Sequence, residues 1–264
     1  MNNIHPTSIL GKNVKLGYNI HIGPYSIIEG EVEIGNGTFI DAHVVIRGNV
    51  KIGKNNKIYF GACIGYPPQD LKFKGEDSLV IIGDNNIIRE FVTIHKATGE
   101  GEKTVIGNSN FLMAYSHIAH NSKIGNEVII VNGAQLAGFV EVEDYAFISG
   151  YCLIHQFVRI GKYAMIGGGT HVKKDIVPFA LCYGEPEAEI RGINSVGLRR
   201  RGISGERLNN IRRAFKILFF SDLNVSQALE RLKSEFGDNE DILYLINFIE
   251  SSKRGITKKS KEDL

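Results

Sequence analysis

Aliphatic residues recur at every sixth position through the first two-thirds of the chain. Stepping by six from Ile4 gives Leu10, Leu16, Ile22, Ile28, Ile34, Ile40, Ile46, Ile52, Ile58 and Ile64. The phase breaks at Asp70 and Glu76 and returns at Ile82, Ile88 and Ile94. It fails again at Glu100, then runs from Ile106 through Leu112, Ile118, Ile124, Ile130, Leu136, Val142, Ile148, Ile154, Ile160 and Ile166 to Val172. A helix repeats about every 3.6 residues and a strand about every 2, so neither explains this spacing. An antiparallel sandwich would show strict alternation with irregular turn spacing. A sixfold period is the signature of a parallel β-helix. Three hexads make a triangular coil of about 18 residues, each aliphatic side chain pointing into a narrow prism. Glycine often follows the aliphatic residue, as at Gly11, Gly35, Gly53, Gly107 and Gly125, where the backbone turns with little room.

The two phase breaks predict surface excursions near residues 66–78 and 95–103. A solenoid must push inserted chain out of its stack, and such loops often carry function. The first mixes apolar and charged residues, as a lid would. After Pro178 the period stops. A linker from Tyr183 to Val196 leads to three helical patterns. Ser204 can cap the first, with Leu208, Ile211, Phe215, Leu218 and Phe219 on one face. The second carries Leu229, Leu232 and Phe236 and ends at Gly237. The third follows Asp238, carries Ile242, Leu245, Ile246 and Ile249, and ends near Gly255. These helices can cover one open end of the prism, whose bare strands would otherwise be exposed edges. Residues 1–182 thus read as the β-helix, and 183–264 as linker and helical domain. The tail from Lys258 to Leu264 reads as disordered.

Composition narrows the possibilities. The 264 residues carry a net charge of only +2, which gives no global case for nucleic acid or an anionic membrane. The three cysteines, Cys63, Cys152 and Cys182, lack metal spacing and read as reduced thiols of a cytoplasmic protein. Residues Met1 to Pro6 show no signal pattern, and no apolar run approaches a membrane span.

The candidate chemistry lies in Met113-Ala114-Tyr115-Ser116-His117-Ile118-Ala119-His120-Asn121. His120 falls two places after an inward residue, an outward or corner position expected to be solvent-accessible. One coil later the same position is Gly138, which leaves a gap beside the imidazole and an accessible N–H. A neutral imidazole beside such a donor can serve as general base with an oxyanion donor. Another coil on lies Gln156, beside His155. Solvated outward histidines are the plain alternative, with zinc held by His95, His117, His120 and His155 as another. No carboxylate or thiolate stands at convincing metal spacing. No Gly-x-Ser-x-Gly elbow is present, so direct transfer fits better than a covalent acyl-enzyme.

Several stretches together resemble one family. They are Pro24-Tyr25-Ser26-Ile27, Gln69-Asp70-Leu71-Lys72, Ile88-Arg89-Glu90, Thr93-Ile94-His95, His117-Ile118-Ala119-His120, Leu136-Ala137-Gly138, His155-Gln156-Phe157 and Arg199-Arg200-Arg201-Gly202. Together they resemble the UDP-N-acetylglucosamine O-acyltransferases (LpxA), and the likeness runs from end to end. The resemblance implies an all-β left-handed parallel β-helix followed by an α-helical C-terminal domain, assembled as a homotrimer with sites between subunits. It implies transfer of an (R)-3-hydroxyacyl group from acyl carrier protein to the glucosamine 3-hydroxyl of UDP-N-acetylglucosamine, the first step of lipid A synthesis. No cofactor or metal is implied beyond the phosphopantetheine of the carrier protein.

Carried over by position, His120 is the general base and the Gly138 N–H the oxyanion donor. Asp70 holds the sugar, with Lys72, His95 and His117 near sugar and phosphates. His155, Gln156, Asn194 and Arg201 match positions that recognise the nucleotide or acceptor. Arg200, with Arg199, Arg212, Arg213 and Lys216, would meet the acidic carrier protein; a solvated basic face is the alternative. Gly168 matches the position that sets acyl length. Stacked one coil above Gly150, it leaves an apolar slot for a longer chain.

Three positions depart from the family pattern. Asn121 stands where Asp is usual, Phe139 where His is common, and Val196 where Glu is common. Asn can hold a tautomer through its carbonyl but brings no charge to an imidazolium. An acceptor with a 3-amine is compatible with these changes. The related N-acyltransferase carries an extra domain before its hexads, whereas here they begin at Ile4. A γ-type carbonic anhydrase, which needs a metal, and a catalytically reduced carrier-protein or nucleotide binder are the readings from other classes.

Overall fold

A computed structural model describes residues 1–184 and 187–259 of the chain. Residues 260–264, most of the tail read as disordered, lie outside the described residues, as do 185 and 186 of the linker. Among the described residues, three sheets of eleven, nine and eight strands, parallel but for one last strand, form the sides of a prism. We call them faces I, II and III in the order in which the chain meets them. Residues His21–Ile22 lie on face I, Ile27–Glu29 on face II and Val32–Ile34 on face III. Successive coils align inward residue over inward residue, as in Ile22 beside Ile40 and Ile118 beside Leu136.

The inward column is fully shielded from Ile22 onward, while Ile4 and Leu10 at the first coil remain exposed. Replacing one such residue by alanine, Ile118 for instance, removes several methyl groups from a rigid stack and costs roughly 2–5 kcal/mol. A second inward position, two residues before each aliphatic one, is also buried, and the hexad count passed over it. It holds small or polar residues such as Ser26, Thr38, Val44, Ala62 and Cys152. Asn56, Asn86 and Asn110 form a ladder there. The Asn86 side-chain amide donates to Asn56 Oδ1 at 3.0 Å, and the Asn110 N–H donates to Asn86 Oδ1 at 2.9 Å. The glycines after the aliphatic residues answer to close stacking. A Cβ on Gly35 would stand 2.5 Å from the Gly53 carbonyl carbon.

The chain leaves the prism between Tyr66 and Leu79 and again between His95 and Lys103. Phase survives because Ile64 pairs with Ile94 and Ile82 with Ile106. Past Pro178 the hexad ends, but the sheet does not. Ala180–Tyr183 extends face I in parallel, and Glu189–Ile193 adds an antiparallel strand.

Four helices follow among the described residues: α1 (Ser195–Arg200), α2 (Gly205–Phe219), α3 (Val225–Phe236) and α4 (Glu240–Glu250). Of these, α1 is too short for periodicity to reveal. Ser204 precedes α2 without a side-chain capping bond, whereas Asn194, Asn224 and Asn239 cap α1, α3 and α4. Gly237 ends α3 in right-handed geometry, so its freedom is unused, while Gly255 has φ +74°. The helices close the last coils of the prism. Tyr244 donates to the Glu143 carboxylate, Arg159 lies over the Phe248 ring at 4.3 Å, and the Ser252 hydroxyl donates to buried Asp175 at 2.7 Å.

Candidate active site

A cavity of about 800 Å³ opens on face II, bounded by the first excursion. Its wall is a column of aligned positions, His117 beside Gln135, Gln135 beside Leu153 and Leu153 beside His171. Asp70, Lys72, His117, His120, Gly138, His155 and Gln156 all line it. His95 packs behind, its ring 4.8 Å from that of His117.

His120 is buried rather than solvated, only 6 % exposed, and what it shows faces the cavity. Its hexad position points outward, but the two excursions fold over that corner. Nor is there a gap beside Gly138: a Cβ there would lie 2.5 Å from the His120 ring, so the imidazole occupies the space itself. Phe139 presents its ring edge-on to His120 at 5.3 Å and stacks on Phe157 at 4.8 Å. The Gly138 carbonyl accepts from the Phe157 N–H, while the Gly138 N–H has no acceptor among the described residues.

The proton on His120 can be located from its neighbours. Asn121 Oδ1 accepts from the Thr98 N–H at 2.9 Å, and Asn121 Nδ2 donates to the Thr98 carbonyl at 3.0 Å. A backbone N–H only donates and a carbonyl only accepts, so the amide has one orientation. His120 Nδ1 lies 2.9 Å from that same Asn121 Oδ1 and must be the donor. Nε2 then carries the lone pair, and it lies 3.9 Å from Asp70 Oδ2. Sequence reasoning noted Asn121 but missed Thr98, whose place in the second excursion gave no local signal.

His95 and His117 are held neutral. Burial, followed by the proximity of His95 and His120, pushes His117 down to about 4. Its Nδ1 lies 2.7 Å from the Thr93 hydroxyl. Burial also lowers His95, whose Nδ1 is enclosed without a partner among the described residues. The Lys72 N–H, donating at 3.0 Å, is the main cause that holds the Asp70 carboxyl below its usual range. Among the described residues no three His, Cys, Asp or Glu side chains are grouped so as to hold a metal.

The remaining expected site residues lie elsewhere on the single chain. Asn194, Arg200 and Arg201 line a separate cavity of about 390 Å³ on face I, with Tyr145 and Val196. Asn194 accepts from the Gly197 N–H and donates to the Tyr163 carbonyl, so it holds α1 in place. Arg201 pairs with Glu127 and lies over the Tyr145 ring at 4.6 Å. Gly168 sits above Gly150, where a Cβ would stand 3.4 Å from the Gly150 carbonyl oxygen. Both occupy the corner between faces I and II, outside the groove.

Known proteins match this arrangement throughout. A family model described as "Udp N-acetylglucosamine O-acyltransferase; Domain 2" matches residues 175–257, and the bacterial transferase hexapeptide model matches 31–66 and 103–138. A protein of Thermodesulfovibrio yellowstonii named acyl-[acyl-carrier-protein]–UDP-N-acetylglucosamine O-acyltransferase is 51% identical, over 98% of this chain and 100% of its own. One of the same name from Xylella fastidiosa is 47% identical over 97% of each chain. The chain belongs to this acyltransferase family. Solved members superpose closely. The Francisella novicida UDP-N-acetylglucosamine acyltransferase gives a TM-score of 0.95 at 38% identity, over 98% of this chain and 95% of its own. The LpxA of Bacteroides fragilis gives 0.93 at 44%, over 96% and 99%. The prism is thus the left-handed β-helix of these acyltransferases.

Proposed function

We propose that this acyltransferase moves an (R)-3-hydroxyacyl chain from acyl carrier protein to the glucosamine 3-hydroxyl of UDP-N-acetylglucosamine, the first step of lipid A synthesis, with His120 as general base. The observation that carries the assignment is the tautomer. With the proton on Nδ1, Nε2 offers its lone pair at the cavity wall against Gly138. The sugar hydroxyl gives its proton to Nε2 as its oxygen bonds to the thioester carbon. The carbonyl π pair moves to oxygen, where the Gly138 N–H stabilises it. Collapse re-forms the carbonyl and breaks the C–S bond, and the departing pantetheine thiolate takes the proton from Nε2. A general base of this kind contributes ~10²–10⁴-fold. Asp70, Lys72 and His117 hold the sugar end, with His95 behind them and His155 and Gln156 at the rim.

The enzyme works as a homotrimer in the cytoplasm. Support comes from the unlike outer surfaces of the prism. Face III carries a ladder of ion pairs, Lys15 with Glu33 at 3.1 Å and Lys123 with Glu141 at 3.2 Å. Face I presents residues such as Ile87, Phe111, Ile129 and Phe147 in register, and face II presents Ile9, Ile27 and Val45. Their shared corner carries exposed Tyr25, Phe91, Tyr115 and Tyr151. Face I and the apolar first coils of face II, meeting at an aromatic corner, fit threefold packing, face I of one chain against face II of the next. That packing joins the Arg201 cavity of one copy to the His120 groove of its neighbour, where Asn194 and Arg201 would meet the nucleotide. Gly168 at the corner would then bound the acyl slot. Arg200, with Arg199 and the outer face of α2, would receive the acidic carrier protein.

The test is a mass-spectrometric transfer assay. Purified enzyme receives a ladder of (R)-3-hydroxyacyl carrier proteins, with UDP-N-acetylglucosamine or its 3-amino analogue as acceptor. An ester on the first acceptor supports the reading. Product with the 3-amino analogue alone would move the acceptor from oxygen to nitrogen and overturn the hydroxyl assignment.

A further inference from the structure

A histidine that accepts a proton in a closed site has two requirements. Its lone pair must face the substrate, and the cation it becomes needs negative charge nearby. A carboxylate bonded to the far nitrogen meets both. Here the far nitrogen meets Asn121, which is neutral and locked by the Thr98 backbone. Asn121 therefore meets only the first requirement.

A carboxylate does reach the imidazole, from the other side. Asp70 Oδ2 stands 3.9 Å from Nε2. It cannot bond there while Nε2 is an acceptor, and the separation is that of two acceptors held apart. The Lys72 N–H fixes one Asp70 oxygen at 3.0 Å, which keeps the carboxyl ionised and aimed across the groove. The other titratable groups that face His120 are His95 and His117. Both are held neutral, and the Lys72 ammonium sits on the same loop as Asp70. Phe139, packed edge-on, brings no charge. Asp70 is the one carboxylate paired with His120 among the described residues.

We propose that this chain divides between two residues the work of one carboxylate: Asn121 fixes which nitrogen carries the proton, and Asp70 supplies the charge that the imidazolium meets. Asn121 is a positioning residue. Asp70, beyond holding the sugar, stabilises the protonated base across the groove. The first excursion thereby becomes part of the base itself, and the enzyme tolerates Asn at position 121 because the charge arrives from the loop. The inference rests on His120 as the base.

The test uses the full-length enzyme without substrate. The ring of His120 is followed by NMR across pH, its signal assigned by its loss in His120→Gln. In Asp70→Asn the midpoint is expected to fall by about one pH unit, the usual effect of removing an opposite charge at this range. In Asn121→Asp it is expected to rise by a similar amount. The double variant should return close to the starting value, since it restores one charge on the other side. The acid limb of kcat/KM should follow the same order. If Asp70→Asn raises only the KM for the sugar nucleotide and leaves midpoint and limb in place, Asp70 is a sugar ligand alone and the proposal falls. Should Asn121→Asp fail to fold, Asp70→Asn decides. The NMR reading needs no acceptor. A moved midpoint without acyl transfer to UDP-N-acetylglucosamine would therefore uphold the charge division and sink the substrate assignment instead.

Discussion

The groove on face II and the cavity on face I are cut into the same repeat, yet they are made in opposite ways. The face II groove arises where the hexad is interrupted. Asp70 comes from one excursion, Thr98 from the other, and Gly138 is a side chain left out. The face I cavity arises where the hexad runs on undisturbed and α1 is laid against it, bringing Val196, Arg200 and Arg201 to Tyr145. Interruption brings polar groups into close, buried contact, which suits proton transfer. An added helix brings long cations to a largely apolar wall, which suits recognition. A single chain holds both halves on different sides of the prism, and the reading proposed for it needs them together.

The sharpest way to break the comparison is to remove the base. His120→Ala should lower kcat by about 10²–10⁴-fold while calorimetry still registers acceptor binding; equal losses in both would make the groove a binding site only. Gly138→Ala comes next. Its Cβ would stand 2.5 Å from the imidazole, so the ring must move off its place beside the amide. Steady-state assays should show roughly a 10²-fold fall in kcat with the fold retained by circular dichroism.

Arg201→Ala tests the other half, with a rise in nucleotide KM of about tenfold and a smaller change in kcat. Refolding a mixture of His120→Ala and Arg201→Ala chains should then restore part of the lost efficiency, because some sites draw each half from an intact copy. No gain over the two variants assayed separately would place each site within one chain. Gly168→Met should shorten the preferred acyl chain in the carrier-protein ladder, with little loss of rate on the shorter donor. Unchanged selectivity would remove the corner from the acyl slot.

The smallest effect concerns stability. His117 is held near 4 by burial, whereas an unfolded histidine titrates near ~6.5. Between those values the unfolded chain binds more protons, so stability is full above about 6.5 and declines as pH falls toward 4. Thermal melts across that range should show the decline, and His117→Gln should flatten it.

Much of the prism was legible because the inward column tolerates few substitutes. A polar residue at Ile118 or Ile148 would be enclosed on every side, so the period is written plainly. The amphipathic faces of α2 and α4 were legible for the same reason, with Leu208, Ile211, Phe215, Ile242 and Leu245 all buried. The strands Ala180–Tyr183 and Glu189–Ile193 were not, since they pair by backbone after the hexad has stopped. His120 was picked out for the right neighbours and given the wrong exposure. Position in a hexad tells which way a side chain leaves the backbone, and says nothing of what an inserted loop lays over it. The Asn194 cap on α1 was likewise hidden, because six residues are too few to show a period.

The hold of Thr98 on Asn121 uses only its peptide groups. Every residue type but proline offers that same N–H and C=O, so this hold on the His120 proton does not depend on the hydroxyl at position 98. The length of the strap is another matter. Deleting a single residue between 96 and 102 would shift the peptide out of reach, free the amide to turn over, and leave the imidazole with no preferred nitrogen. The strap's length is therefore held by the proton it places, so insertions and deletions there are the changes selection would remove first.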